Sequence, residues 1–485
     1  MFKPTRRSIR KHKVPQWYHD VKLGIFVHWG LYSIPAFAEI SAKNYHEIQK
    51  DSGIESQFYR NPYAEWYQNS LRLKETKTYE YHQKQYGSEF RYEDFAPIFN
   101  QEIRKWNPDE MVSIFKQSGA KYVVLVAKHH DGFTLWPSKY PNPYKKNYHA
   151  SRDIVWELTK AVKKQNLRMG LYYSGKIDWS FEENSINDFV TMLDNEPKQP
   201  EYPKYAENHW YELIDTYQPW ILWNDIGYPA KSNKLKIFAY FYTKNPEGVI
   251  NNRWTQIPSI VRWCIRHPII GKIINNIVFR MITKNKKDSQ ESREYYLPLY
   301  DFSTPEYQVE SEIKKYKWET CRGLGSSFGY NKKESEKDYL SPKELIHQLI
   351  DVVSKNGNLL INVGPKSDGT IPDFQKKLLL ELGNWLKVNG EAIYETRPWK
   401  IPQSETKCGI PIRFTSKELT IYIILLGNPQ DTTIRLKNLG FNQIKKIEIL
   451  GMKIELEWKF DKNSLEVNIP NSLPASYAHS FKVSL

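Results

Sequence analysis

The sequence is poor in cysteine. Cys264, Cys321 and Cys408 are far apart, odd in number and form no CxxC pair. That argues against a disulfide framework and a cysteine-rich zinc site, and it fits a reducing compartment. No uncharged apolar run is long enough to cross a bilayer, so no integral membrane segment is expected. The stretch Met1–Lys13 is basic and contains Arg6-Arg7, but no apolar region follows it. It lacks what a secretory or twin-arginine signal needs. The expected location is the cytoplasm, with a trimmed secreted form as the alternative. No nucleic-acid-binding motif, internal repeat or low-complexity tract stands out.

What is abundant is aromatic: 33 Tyr, 21 Phe and 16 Trp in 485 residues. Flat rings suit the C–H faces of sugars or stacked bases; large aromatic cores are the plainer explanation. Hydrophobic residues at 40% and charged residues at 26% describe a soluble globular chain and exclude a disordered or collagen-like one. The formal net charge of +15 suits nucleic acid, an anionic membrane or simply a soluble basic surface. Without a clustered basic stripe the last is expected, and no nucleic-acid partner is.

Length allows two or three domains, or one barrel with an appendage. After a basic N-terminal arm (1–16), residues 17–399 alternate short apolar runs with amphipathic stretches. Candidate strands are Gly24–His28, Lys121–Ala127, Arg168–Tyr173, Trp220–Trp223, Gly248–Ile250 and Asn358–Val363. Between them lie helical patterns such as Pro108–Gln117, Ile154–Gln165, Lys234–Thr243 and Ser341–Ser354. That alternation predicts an α/β fold with a mostly parallel sheet, first a (β/α)8-type barrel and second a doubly wound sheet. Several apolar runs end in polar or aromatic residues that a core would reject: His28-Trp29, Lys128-His-His-Asp131, Asn224-Asp225 and Asn251-Asn-Arg253. In a barrel all strand C-termini open on one face, where chemistry collects. From about residue 400 to 485 helical periodicity disappears. Short alternating runs there predict a C-terminal antiparallel β-sandwich, expected to pack against the barrel, with carbohydrate binding the lesser role.

Residues 255–297 read as an insertion. Eight Lys and Arg against three Asp and Glu leave it at +5. Ile269-Ile270, Ile273-Ile274, Ile277-Val278 and Met281-Ile282 recur every four residues, an apolar stripe that drifts slowly round a helix. The stripe needs cover. Docking across the barrel mouth is expected; a membrane surface or a second subunit of a homo-oligomer would also provide it.

Asp225 is the sharpest single candidate for chemistry. A carboxylate at the mouth of an apolar strand, walled by rings, can act as a glycosidase nucleophile. Its competing role is to cap the next helix, but Ile226-Gly-Tyr-Pro229 intervenes. His28, His129 and His130 sit at strand ends. They suit hydrogen bonds to sugar hydroxyls better than a metal, because no HxH or HExxH pattern accompanies them. Glu65-Trp66-Tyr67 pairs an acid with rings, although Ala64–Arg72 also reads as a helix surface. Arg253 follows a strand and can orient a carboxylate. Glu306, in Ser303-Thr-Pro-Glu-Tyr307, is a candidate acid, but on the residues alone it is no better than Glu310 or Glu319.

Six segments together carry a family likeness: Gly24-Ile-Phe-Val-His-Trp-Gly30, Tyr63-Ala-Glu-Trp-Tyr67, Ala127-Lys-His-His-Asp-Gly-Phe133, Leu171-Tyr-Tyr-Ser174, Leu222-Trp-Asn-Asp225 and Asn356–Pro365. In this order they resemble the α-L-fucosidases of glycoside hydrolase family 29, from about Trp17 to Trp399. The resemblance implies a retaining exo-hydrolase of terminal α-L-fucose on fucosylated oligosaccharides or glycoconjugates, with no metal or other cofactor. It implies Asp225 as nucleophile and Glu306 as acid/base. It further implies a fucose pocket of His28, Glu65, Trp66, His129, His130, Tyr172, Trp223 and Arg253, with Phe328 near the sugar methyl. The Glu306 position varies most within the family, and the insertion lies just before it. A non-catalytic fucose-binding protein on the same barrel is the alternative function.

Overall fold

The computed structural model describes residues 1–40, 54–283, 299–429, 432–437, 439–440, 443–461, 464–470 and 473–485. Eight parallel strands form one sheet: β1 (Leu23–Val27), β2 (Tyr122–Lys128), β3 (Arg168–Ser174), β4 (Ile221–Asp225), β5 (Val249–Ile250), β6 (Phe302–Ser303), β7 (Lys317–Gly323) and β8 (Gly357–Val363). Their order is β5-β4-β3-β2-β1-β8-β7-β6. A parallel bridge between Asn251 and Phe302 joins the two ends and closes the barrel. Strand interiors such as Tyr122–Lys128 are buried throughout, as expected where helices cover a parallel sheet on one side and the barrel fills the other.

Helix starts follow local chemistry. The Asn107 side chain accepts from the amides of Asp109 and Glu110 and opens Pro108–Gln117. Ser341 and Glu344 cap one another's backbone at the start of Pro342–Ser354. Asp225 caps nothing of this kind. The next helix begins at Lys234 and is capped by Asn233.

Two barrel strands absent from the sequence reading are β6 and β7. β6 is two residues long, and β7, Lys317-Trp-Glu-Thr-Cys-Arg-Gly323, is largely polar. Neither shows the apolar run that marks the others. The Ala64–Arg72 segment is a 3-10 turn, Ala64–Trp66, running into a short helix, Tyr67–Leu71. The N-terminal residues lie against the barrel: Ile9 is buried, and His12 pairs with Asp301 at 2.7 Å while stacking on Tyr242.

The C-terminal region is two antiparallel sheets around their own core. The five-stranded sheet runs β13 (Lys446–Ile449), β16 (His479–Ser484), β11 (Thr420–Leu425), β10 (Pro411–Lys417) and β9 (Arg397–Glu405). The three-stranded sheet runs β12 (Thr433–Lys437), β15 (Ser464–Asn468) and β14 (Trp458–Asp461). The five-stranded sheet docks on the outer helices: Trp385 Nε1 donates to the Ala478 carbonyl at 3.0 Å, and Arg413 pairs with Asp351.

Among the described residues the insertion contains the helices Ser259–Arg266 and Pro268–Thr283. They pack on the short helix Phe189–Asp194, which lies in the β3–β4 connection. Arg262 pairs with Glu196 at 3.2 Å and Arg266 with Asp194 at 2.9 Å. The Asn275 side chain bonds both the Val190 amide and Asp188. Gly271 permits the close crossing, since a Cβ there would lie 2.6 Å from the Ile265 carbonyl oxygen. These two helices therefore dock on the β3–β4 connection, and none of their residues lines the cavity at the strand ends; the rest of the stretch expected to cross the barrel mouth, 284–297, lies outside the described residues. The Met281-Ile282 end of the predicted stripe falls outside the described side chains.

Candidate active site

At the C-terminal ends of the strands lies a cavity of about 210 Å³. Every site residue expected from the sequence lines it: Asp225 and Glu306, the three histidines, Glu65, Trp66, Tyr172, Trp223, Arg253 and Phe328. They come from β3 and β4, the segments after β1, β2, β5, β6 and β7, and the turn before Tyr67. Residues far apart in sequence meet because barrel strand ends converge.

Arg253 ties the two carboxylates together. Its Nη1 donates to Asp225 Oδ1 at 2.8 Å and its Nη2 to Glu306 Oε2 at 3.2 Å. The same guanidinium is fixed from behind by the Thr304 hydroxyl and carbonyl, at 2.9 and 3.0 Å, and lies over the Trp223 ring. The paired charges raise the Arg253 pKa against the opposing effect of burial. Tyr172 donates to Asp225 Oδ2 at 2.9 Å, and Tyr63 donates to Glu306 Oε1 at 3.2 Å. Each carboxylate is thus oriented by one guanidinium and one phenol. Immediately after each, the chain turns through a left-handed residue: Ile226 at φ 45° and Tyr307 at φ 52°. Such a conformation is costly for a β-branched or bulky residue. Here it bends the backbone away from the strand end and leaves the carboxylate at the cavity.

The histidines are neutral acceptors. Asn362 Nδ2 donates to the Phe328 carbonyl, so its Oδ1 must receive the proton of His28 Nδ1 at 2.6 Å. That leaves His28 Nε2 as an acceptor, and burial lowers its pKa to about 4. Ser174 gives its hydroxyl proton to the Ile177 carbonyl, so it accepts from His130 Nδ1 at 2.6 Å. His130 Nε2 is then unprotonated and stands 3.9 Å from Asp225 Oδ2. Two acceptors facing each other make a place for a donor hydroxyl, not an ion pair. Burial also lowers the His129 pKa, and the neighbouring His130 lowers it further. His129 Nδ1 is a buried nitrogen without a protein partner. Among the described residues no group of three or more His, Cys, Asp or Glu side chains is placed to hold a metal.

Glu65 accepts the Gly329 amide at 2.7 Å, yet burial outweighs that bond and raises its pKa to about 8. At neutral pH it carries a proton and can donate. Trp66 stands edge-on to His130 and Trp179, while Phe328 sits against His28, Tyr63 and Tyr307.

The three acids that the sequence left equal now separate. Glu319 lies wholly buried under the cavity, accepting from Tyr18 at 2.8 Å, Tyr122 at 2.5 Å and Trp223 Nε1 at 3.1 Å. Gly24 makes room for this arrangement; a Cβ there would fall 2.3 Å from the Tyr122 ring. Glu310 pairs with Lys314 at 3.5 Å and does not line the cavity. Only Glu306 faces the cavity beside Asp225. Sequence reasoning missed Tyr63 as a partner of Glu306, although it opens a recognised segment, and missed Met192 and Ile226, which complete the rim.

A closed barrel with two bridged carboxylates in a small, ring-walled pocket at its strand ends has the architecture of a glycoside hydrolase. The comparisons with known proteins agree. The α-L-fucosidase sequence pattern matches residues 1–391, and that of the α-L-fucosidase C-terminal domain matches residues 403–484. The alpha-L-fucosidase of Dictyostelium discoideum is 31% identical over 98% of this chain and 92% of its own length. The tissue alpha-L-fucosidase of Homo sapiens is 29% identical over 100% of this chain and 92% of its own. The crystal structure of Thermotoga maritima alpha-fucosidase with a mechanism-based inhibitor matches at TM-score 0.83 and 39% identity, covering 100% of both chains. The same enzyme with fucose matches at 0.82, again over 100% of both chains and at 39% identity. The chain belongs to the α-L-fucosidase family of glycoside hydrolases.

Proposed function

We propose that the protein is a retaining exo-α-L-fucosidase in which Asp225 is the nucleophile and Glu306 the general acid/base. The observation that carries this reading is the single Arg253 guanidinium bonded to both carboxylates at the mouth of the cavity. Retention needs carboxyls about 5–5.5 Å apart, closer than inversion needs, and two groups held by adjacent guanidinium nitrogens favour the shorter separation. Asp225 attacks the anomeric carbon from the face opposite the leaving oxygen, forming a carbon–oxygen bond as the glycosidic bond breaks. Glu306 delivers its proton to the departing oxygen. Glu306 then takes a proton from water, whose oxygen displaces Asp225 from the same carbon, and net configuration is retained.

The remaining residues bind one sugar. Protonated Glu65 donates to a hydroxyl, while His28 Nε2 and His130 Nε2 accept from others. Trp66 and Trp223 offer ring faces and edges to C–H groups, and Phe328 offers an apolar contact suited to a methyl. A cavity of about 210 Å³ takes a single terminal ring and not an internal one, which supports exo-action. Fucosylated oligosaccharides or glycoconjugates are therefore the substrate class, in line with the fucose found in the Thermotoga maritima relative.

Proton NMR of aryl α-L-fucoside hydrolysis tests this directly. α-L-Fucose as the first-formed product, with aryl β-L-fucoside and α-galactoside left intact, is the expected result. First-formed β-L-fucose would overturn the retaining mechanism, and no turnover of the α-L-fucoside would overturn the substrate.

A further inference from the structure

The insertion carries an apolar face that none of the described residues covers. Ile260 and Trp263 on the helix Ser259–Arg266, and Ile269, Ile273 and Ile277 on the helix Pro268–Thr283, are between 48% and 67% exposed. Val261 adds to the patch. On the first helix Ile260 and Trp263 face solvent, while Ile265 is buried and Arg262 and Arg266 pair with Glu196 and Asp194 on the body. On the second, at about 100° per residue, Ile269, Ile273 and Ile277 lie opposite Gly271 and Asn275, which hold it. Both helices thus turn one face to Phe189–Asp194 and its flanks and present the other, apolar one outward. Isolated exposed apolar side chains are ordinary; a contiguous set on two adjoining helices is not.

We infer that this helical pair seats the protein on an anionic lipid surface, with the isoleucines and Trp263 in the interfacial layer. Charge selects this occupant over a second copy of the chain. The whole protein carries +15, so two copies repel one another, whereas an anionic headgroup layer attracts the chain. Lys272 is exposed among the outward isoleucines, and Trp263 has the amphipathic ring that favours a membrane–water interface. No helix among the described residues is long and apolar enough to cross a membrane, so the association is peripheral. The docking helix Phe189–Asp194 supplies Met192 to the cavity wall, which puts the patch one helix away from the pocket. A fucosylated glycan tethered to such a surface would be presented to the cavity at high local concentration; this consequence, unlike lipid binding itself, rests on the proposed activity.

Co-sedimentation of the full chain with phosphatidylcholine vesicles, with and without phosphatidylglycerol, tests the inference without reference to catalysis. Binding is expected to vesicles containing phosphatidylglycerol, to weaken with added salt and to be slight with phosphatidylcholine alone. The triple variant Ile269→Ser, Ile273→Ser, Ile277→Ser should lose on the order of tenfold in partitioning at an unchanged Tm, since these side chains touch solvent. Lys272→Glu should weaken binding to the anionic vesicles alone. Failure of the wild type to bind anionic vesicles, or undiminished binding by the triple variant, would overturn the inference. So would a wild-type dimer in sedimentation equilibrium that the triple variant converts to monomer without any vesicle binding, because the face would then belong to a second copy.

Discussion

Two layers of the same barrel handle their acids in opposite ways. In the lower layer Glu319 is closed off from solvent and receives three donors, from Tyr18, Tyr122 and Trp223. In the upper layer Glu306 and Asp225 share Arg253, receive one phenol each, and keep side-chain exposures of 23% and 12%. Residue type does not distinguish Glu306 from Glu319. Spare acceptor capacity and access to the cavity do. Trp223 connects the layers: its indole nitrogen binds Glu319 below while its ring face supports Arg253 above. The lower acid is a structural anchor for the wall on which the upper pair is held.

The contrast is sharpest if removing the upper and lower acids has different kinds of effect. Asp225→Gly should lower aryl fucoside turnover on the order of 10⁴-fold or more with the fold intact. Added azide should then restore turnover with a fucosyl azide of inverted configuration, because a small anion can occupy the vacated face. Near-native activity in this variant would sink the nucleophile assignment. Glu306→Ala should cost roughly 10²–10⁴-fold on fucosides with basic leaving groups and much less on activated aryl fucosides. Glu319→Ala should instead leave three buried donors unpaired, at about 1–3 kcal/mol per group, and show as a lowered Tm without leaving-group dependence. Leaving-group dependence in the Glu319 variant and none in the Glu306 variant would reverse the two layers.

A smaller effect belongs to Glu65. Its carboxyl is protonated below about pH 8 and ionises as pH rises through that value. Affinity for fucose, measured by calorimetry, should therefore fall on the alkaline side, since the donor to a sugar hydroxyl becomes an acceptor. Glu65→Gln should keep the donor and flatten that limb; an unchanged pH profile in this variant would assign the limb elsewhere. The smallest expected effect is none at all. Exhaustive chelation should leave hydrolysis unaltered, and activity lost with EDTA and restored by zinc would show that the histidines hold a metal.

Much of this was readable in the sequence because apolar runs that end in His, Asp or Asn announce strand ends. β1, β2, β4 and β5 carry such runs, β3 and β8 show the apolar run without that ending, and all six appear in the structure within a residue or two of the expected bounds. β7 was hidden by its own chemistry: Glu319 sits in a largely polar strand, and the donors that reach it, Tyr122 and Trp223 from other strands and Tyr18 from the helix Gln16–Asp20, make the site tolerable inside a barrel. β6 is too short to show a pattern and follows directly on the insertion. In the C-terminal sheets β9 is mostly half-exposed and so shows no clean alternation, and β16 pairs with β11 and β13, which lie earlier in the chain. For the site, the residues were legible but their pairing was not. Nothing in the sequence around Arg253 says that one guanidinium spans Asp225 and Glu306, or that Tyr63 turns to Glu306. Those contacts are made only when strand ends that are far apart in sequence come together.

The most direct test of the upper layer is to trap the enzyme with a 2-deoxy-2-fluoro-fucosyl fluoride, digest it and locate the adduct by mass spectrometry. The account predicts a single fucosyl ester on Asp225, formed by the wild type and absent from Asp225→Asn. An adduct on Glu306, Glu65 or Glu319, with the Asp225 peptide unmodified, would contradict it.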